Sequence, residues 1–355
     1  MKRIAFIVQQ PKRVSPGQRF RLELWEPVLR EHGFEGDTFP FLNDKTRAII
    51  YKPGNTLKKI AGVLSGFGRR IALMFHLSGY DYVMIQREIT PIGPPVFEWI
   101  VTKLLRKNVI YDFDDAIWIQ NSTAENKLAS WFKAVWKVKY ICKWSTRISG
   151  GNEYLCNYAK QYNDNVVLLP TCVDTERGHN KLKQHGDHRP VIGWTGSHST
   201  LFYLNDITPV LKELKKEIDF EFLVIADKKP ELDLEGWQFI KWNAATEQED
   251  LLKMDVGIMP LKPDAWSEGK CGFKLIQYMA LGIPAVTDPI GVNKKIVDDG
   301  LNGYVCHTKE EWKQRLKLLL TSVELRKQFG REGRKKIVDH YSVRSQTNVF
   351  LSLFS

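Results

Sequence analysis

The chain has 355 residues, 43% of them apolar and 12% aromatic, which is too long for one average core and enough to fill two. Its formal charge of +11 is unevenly laid out: residues 1–172 hold 25 Lys/Arg against 15 Asp/Glu, and residues 173–355 hold 27 against 26. A basic first half attracts an anionic partner, whether nucleic acid, an anionic membrane surface or a phosphorylated substrate; the lack of any uncharged apolar run of about 18 residues excludes a membrane-spanning helix, and five dispersed cysteines with no C-x-x-C pair exclude a disulfide framework and a structural zinc site.

The opening residues, MKRIAFIVQQP, have a basic start and a short apolar stretch without a small-residue cleavage site, so they read as a strand rather than a signal peptide, and a cytoplasmic location is expected. RIAFIVQ, YDYVMIQ, KNVIYDF, TRISGG and NVVLLP are short runs rich in Ile, Val and Tyr, separated by longer helical patterns. That alternation predicts a parallel sheet with crossover helices over residues 1–172. Two stretches in this half, TLKKIAGVLSGFGRRIALMFHL and LASWFKAVWKVKYICKW, mix Lys/Arg with large apolar residues. In the second, Trp131, Val135, Val138 and Cys142 share a helical face from which Lys133, Lys137 and Lys143 point away. Such stretches are either core-facing helices with solvated backs or a surface for anionic lipid. IYDFDDAIW places Asp112, Asp114 and Asp115 at the end of a buried strand, where they would pair with Arg87 of MIQRE or hold a metal. No His or further carboxylate stands at ligand spacing, so no metal site is assigned.

TCVDTERGHNKLKQHGDHRP breaks the pattern and reads as a linker over about 172–190. A second alternating series follows, with strands at VIGWTG, FEFLVIA, QFIKW, DVGIMPL, IPAVTD and NGYVCH and helices at 200–215, 273–281 and 308–338. This predicts a second doubly wound α/β domain over 190–341, a last helix at about 342–355 packing back on the first domain, and a cleft where the carboxyl ends of the two sheets face each other. VIGWTGSHSTLFYL reads as a tight strand-to-helix turn of small residues, with Ser199 or Thr200 as a helix cap. SEGKCGFKLIQYMALGIP is a loop, then a helix ended by Gly282 and Pro284. Its start presents free N–H groups and a positive dipole end, to which Lys270 and Lys274 add charge, and the fitting ligand is a phosphate or diphosphate.

GFKLIQYMALGIPAVTDPIGVNKKIVDDGLNGYVC resembles the nucleotide-sugar-binding half of a GT-B glycosyltransferase of the retaining family 4 group (glycosyl transferases group 1). The resemblance extends over nearly the whole chain and implies an α/β fold of two Rossmann-like domains. That group carries E-x7-E on this helix, the second Glu binding the donor ribose. Gln277 stands in its place here, and Glu268, nine residues earlier rather than eight, is the candidate for the first Glu's contact to the donor sugar. The resemblance makes Lys270, Lys274 and Glu268 the catalytic candidates, and Gly193, Thr195, Gly196, Ser197, Gln277 and Tyr278 the donor-binding ones. His198 stands where the group often has basic residues. Gly17, Gln18, Arg19 and Arg21 of VSPGQRFRLELW, with Arg87, Asp112, Asp114, Asp115 and Asn152 of SGGNEYL, become acceptor-binding candidates, although the first loop also reads as a surface turn and SGGN as turn chemistry.

The implied activity is retaining transfer from a UDP- or GDP-sugar to a glycan or lipid-linked acceptor in bacterial surface polysaccharide or lipopolysaccharide synthesis. It needs no cofactor and no metal, and the enzyme would be peripheral on the inner face of the plasma membrane. A nucleotide-sugar epimerase of the same architecture would need acid and base groups that are scarce here. A nucleic-acid-binding protein fits the charge, but no stacking, helix-turn-helix, RRM or OB signature is present, so nucleic acid is not expected as a partner. A nicotinamide enzyme lacks its G-x-G-x-x-G after the first strand.

Overall fold

The computed structural model describes residues 1–119 and 134–355. The chain forms two compact units, Met1–Thr171 with Thr347–Ser355, and Cys172–Gln346. Each is built on a six-stranded parallel sheet.

In the first unit the strands are β1 (Lys2–Val8), β2 (Phe34–Pro40), β3 (Tyr82–Gln86), β4 (Asn108–Phe113), β5 (Arg147–Gly150) and β6 (Val166–Leu168), in the order β2-β1-β3-β4-β5-β6. Ile4–Val8, Val83–Ile85 and Val109–Phe113 are buried on both faces, which is why those strands read as unbroken apolar runs. The strand that the sequence reading missed, β2, is an edge strand of sequence FEGDTFP, half-exposed along nearly its whole length. With no buried alternation to record, it leaves no apolar signature. The main helices are α1 (Pro16–Arg21), α2 (Thr56–His76), α3 (Lys137–Trp144) and α4 (Glu153–Lys160). The chain end closes this unit: Phe350 stacks on Trp25 at 4.3 Å, and the Phe354 ring meets those of Phe34 and Tyr82 at 5.3 and 5.4 Å.

The second unit has β7 (Val191–Gly196), β8 (Glu221–Ala226), β9 (Trp237–Lys241), β10 (Val256–Met259), β11 (Ala285–Thr287) and β12 (Gly303–Val305), in the order β12-β11-β10-β7-β8-β9. Its helices include α5 (Leu204–Lys215), α6 (Ala265–Glu268), α7 (Phe273–Ala280), α8 (Lys309–Thr321) and α9 (Val323–His340). The single helix expected at 308–338 is therefore two, because Ser322 leaves helical geometry and its hydroxyl caps α9 at Leu325 N, 3.1 Å away. The expected 200–215 helix begins instead with a 3-10 turn, His198–Tyr203.

Residues 172–190, expected as a linker, pack on the second unit, with Cys172, Thr175 and His179 buried. Lys183 Nζ and His188 Nε2 lie 3.1 and 3.0 Å from the carboxylate of the fully buried Asp255, with His185 Nδ1 at 3.5 Å. The segment looked like a linker because its polar residues bond to one buried carboxylate and to backbone carbonyls, which composition does not reveal. The chain's five cysteines are all buried and unbridged. Among the described residues no helix is long and apolar enough to cross a membrane.

Candidate active site

In an open parallel sheet a ligand binds beyond the carboxyl ends of the strands where the strand order reverses. In the second unit that point lies between β7 and β10. The two strands pair only at Ile192/Val256 and Gly193/Gly257, then part. Loops leaving β7, β10 and β11 meet at this edge and are tied together. The Tyr203 hydroxyl, at the end of the turn after β7, lies 2.8 Å from Ser267 Oγ in α6, with both residues buried. Asp264 caps α6 by accepting from Ser267 N at 2.7 Å. The turn after β11 reaches Glu268 because Gly291 has no side chain: a Cβ there would stand 2.9 Å from the Glu268 carbonyl oxygen, at φ +55°.

Gly272 then starts α7 in the left-handed region, φ 64°, where a Cβ would meet Ile296 Cδ1 at 2.2 Å. The first turn of α7 follows, with Lys274 on that turn and Lys270 just before it. The two lysines are half-buried, Lys274 Nζ lying 5.2 Å from the Trp194 ring centroid and Lys270 Nζ 4.6 Å from that of Trp266. Gly196 packs on the same Trp194 ring, where a Cβ would come within 2.3 Å of Cη2, and Ser197, His198 and Ser199 beyond it are exposed. Glu268, Lys270, Lys274, Gly196 and Ser197 are thereby gathered on one edge of the sheet. His198 is fixed there by Asp227, which follows β8 and accepts from both His198 N and its Nδ1 at 2.6 Å.

The other donor-binding candidates are placed differently. Gly193 lies inside β7, where a Cβ would collide with Met254 Cγ at 2.1 Å, so its smallness lets β7 pack against the segment that leads into β10. Tyr278 is fully buried, and its hydroxyl accepts from Thr195 N at 2.9 Å and donates to Ile258 O at 3.4 Å. It bridges β7 to β10 beyond their last paired residues. Burial raises its pKa well above the tyrosine range. Thr195 and Tyr278 are thus spent on each other. Gln277 is also buried, its Nε2 3.5 Å from Nε2 of the buried His179. The ribose contact expected of Gln277 would have to be made from this enclosed position.

In the first unit the order turns back between β1 and β3. Arg87 follows β3 with φ 63°, a left-handed conformation that costs a non-glycine residue roughly 1–2 kcal/mol. Its guanidinium spans Asp114 Oδ1 at 2.9 Å and Asp115 Oδ2 at 2.5 Å and stays 37% exposed. Gly17 of α1 comes so near that a Cβ would stand 2.7 Å from Asp114 Oδ2. Gly17, Arg87, Asp114 and Asp115 therefore share one edge, with Arg19 half-buried on α1 nearby in sequence. Arg21 and Asp112, also expected to bind acceptor, are fully buried and form a two-pronged pair, 2.5 and 3.2 Å, with Ser149 Oγ and Leu169 O completing the guanidinium's partners. They hold α1 to the sheet, so the expectation is corrected for both. Gln18 is buried, donating to Glu23 at 2.8 Å. Asn152 caps α4, accepting from Leu155 N at 2.9 Å, which is the turn chemistry left open for SGGN.

Among the described residues no group of three or more His, Cys, Asp or Glu side chains could hold a metal ion. The site residues that sequence reasoning missed are Tyr203, Asp227, Asp264 and Gly291. Asp227, directly after the strand FEFLVIA, and Asp264, three residues before Ser267, carried readable signals of a strand end and a helix cap.

Residues 212–336 match the family model for glycosyl transferases group 1. Spore coat protein SA of Bacillus subtilis (strain 168) is 32% identical over 81 residues, which are 22% of this chain and 22% of that protein. Among solved structures, sucrose-phosphate synthase from Thermosynechococcus elongatus superposes with a TM-score of 0.73 at 12% identity, over 100% of this chain and 98% of that one. Anabaena HepE in complex with UDP-glucose gives 0.71 at 11% identity, over 100% of each chain. WaaG, a glycosyltransferase involved in lipopolysaccharide biosynthesis, gives 0.65 at 11% identity, over 99% of each. At such identities the likeness is one of fold. These matches give the chain a GT-B fold whose second unit carries a segment similar to glycosyl transferases group 1.

Proposed function

We propose that the enzyme is a retaining, family 4-type transferase that moves a sugar from a UDP- or GDP-sugar to a glycan or lipid-linked acceptor in bacterial surface polysaccharide or lipopolysaccharide synthesis. The reading rests chiefly on one observation: the N-terminus of α7, opened by a left-handed Gly272 and flanked by Lys270 and Lys274, lies where the strand order reverses. HepE, which shares the fold, was solved with UDP-glucose, and WaaG acts in lipopolysaccharide biosynthesis, which favours a nucleotide-sugar donor and a surface-glycan acceptor. A lipid-linked acceptor would set the enzyme on the cytoplasmic face of the membrane as a peripheral protein.

In the proposed reaction an acceptor hydroxyl forms its bond to the anomeric carbon on the face from which the diphosphate departs, and a phosphate oxygen of the leaving group takes the hydroxyl proton. No protein nucleophile is required. Lys270, Lys274 and the first N–H groups of α7 would carry the charge growing on the diphosphate, and Glu268 would orient the donor sugar. Arg87 with Asp114 and Asp115 would hold acceptor hydroxyls. The test combines a panel of UDP- and GDP-sugars, read by thermal stabilisation, with turnover of Lys274→Ala. Loss of one phosphate contact made mainly in the transition state lowers turnover by roughly a hundredfold. A variant that melts normally and keeps near-full activity with every accepted donor removes Lys274 from this role.

A further inference from the structure

Helix α2 is built inside out. Its inner face is made of Gly62, Gly66, Arg70 and Leu73: a Cβ at Gly62 would strike Thr46 and one at Gly66 would strike Phe41, so the helix backbone lies directly on the unit below. Arg70 is buried, with its guanidinium donating to Val8 O, Phe39 O and Ile89 O at 2.6, 2.9 and 2.8 Å, closing the ends of the first strands. The outer face carries Leu57, Ile60, Leu64, Ile71 and Phe75, each between 51% and 83% exposed. At 100° per residue these five fall within about 60° of the helical wheel, and they run along roughly 27 Å of helix. Ala61, Gly68 and Ala72 lie beside them, and all three are exposed too.

An apolar stripe of this length needs an occupant. Its charges indicate which: α2 carries the exposed Lys58 and the half-buried Lys59 and no Asp or Glu, while Arg69 and Arg70 turn inward onto backbone carbonyls, and the first 172 residues carry 25 basic against 15 acidic residues. A second copy of the chain would bring Lys58 against its own kind. An anionic lipid surface meets both the stripe and the charge around it. The aromatic turn beside α2 continues the surface, Phe97 lying 6.4 Å from Phe67 with Trp99 47% exposed. Of the other Lys/Trp-rich stretch, residues 128–133, with Trp131 and Lys133, lie outside the described residues; its helix α3 buries Val138 and Cys142 and also Lys137.

We infer that α2 lies in the headgroup boundary of an anionic membrane, its Leu/Ile/Phe stripe among the acyl chains and its lysines at the phosphates. The inference deepens the peripheral setting proposed above and does not depend on the donor chemistry. The test is sedimentation of the full chain with vesicles of phosphatidylcholine alone or with phosphatidylglycerol, at low and high salt, beside the variant Leu64→Glu/Ile71→Glu/Phe75→Glu. All three positions are solvent-exposed, so the variant is expected to melt like the parent and to act equally on a soluble acceptor. Binding to the anionic vesicles should weaken with salt, and the variant should lose at least about tenfold in partitioning, because its carboxylates would enter the apolar boundary. Parent protein left in the supernatant at low salt, equal binding by the variant, or a parent dimer that the variant abolishes would each overturn the inference. None of these would touch the transferase assignment, which the soluble-acceptor assay reads separately.

Discussion

Tyr278→Phe removes a single oxygen from the second unit, and the structure sets the expected loss. Beyond Gly193 and Gly257 the strands β7 and β10 part, and the Tyr278 hydroxyl stands between them, accepting from Thr195 N at 2.9 Å. Thr195 and Tyr278 are both buried, and the tyrosine ring lies over Gly257, where a Cβ would come within 2.3 Å of it. Phenylalanine fits the same space but leaves the Thr195 N–H without an acceptor, at a cost of about 1–3 kcal/mol. The 3.4 Å contact to Ile258 O is long and adds little. Taking ~2 kcal/mol, a unit of this size should melt roughly 4–8 °C lower. Differential scanning calorimetry reads that shift, and amide exchange at Thr195 should quicken with it. An unchanged melt together with a raised KM for the donor would refute the bridging role and return Tyr278 to the donor site.

Other outcomes follow from the same geometry. Arg21→Met, which leaves Asp112 charged and buried without its partner, should cost about 3–5 kcal/mol in urea unfolding, and adding Asp112→Leu should recover part of it. Burial opposes the charge on Asp255, but His185, Lys183 and the Val191 N–H outweigh it and hold the carboxyl well below its usual 3.8. Because the folded-state pKa is the lower one, this stabilisation is complete above the unfolded-state value and drains away as pH falls below it; urea midpoints of Asp255→Asn and parent should therefore converge on acidification from pH 6 to pH 3. Excess EDTA should leave turnover within about twofold, whereas loss restored by magnesium or manganese would reassign Asp114 and Asp115 to a metal. Gly272→Ala should lower turnover and stability together, since its side chain meets both a left-handed φ and Ile296.

Strand positions were legible wherever both faces of a strand are buried, as in RIAFIV and FEFLVIA, because burial forces an unbroken apolar run. The edge strand FEGDTFP escaped for the opposite reason. At the site, the lysines before and on α7 could be read because a glycine-led helix start after a parallel strand has few other uses for charge. What could not be read was where polar side chains spend their hydrogen bonds. Arg21 and Arg87 look alike in sequence, yet one is sealed against Asp112 and the other spans Asp114 and Asp115 with its guanidinium partly exposed. Tyr278 was similarly ambiguous, since its partner Thr195 lies 83 residues away. Such pairings depend on tertiary distance, which neither periodicity nor composition encodes.

The chain passes from the first unit to the second after Thr171 and returns after Gln346. Emerging from a ribosome, the first sheet is thus complete in its strands long before it is complete in its core. The surface around Trp25, Phe34 and Tyr82 waits, uncovered, until Phe350 and Phe354 have been made. Domains commonly fold in the order of their synthesis. Here the unit that is made first is the one that can finish last, and a C-terminal truncation of nine residues would injure the far end of the chain rather than the neighbouring one.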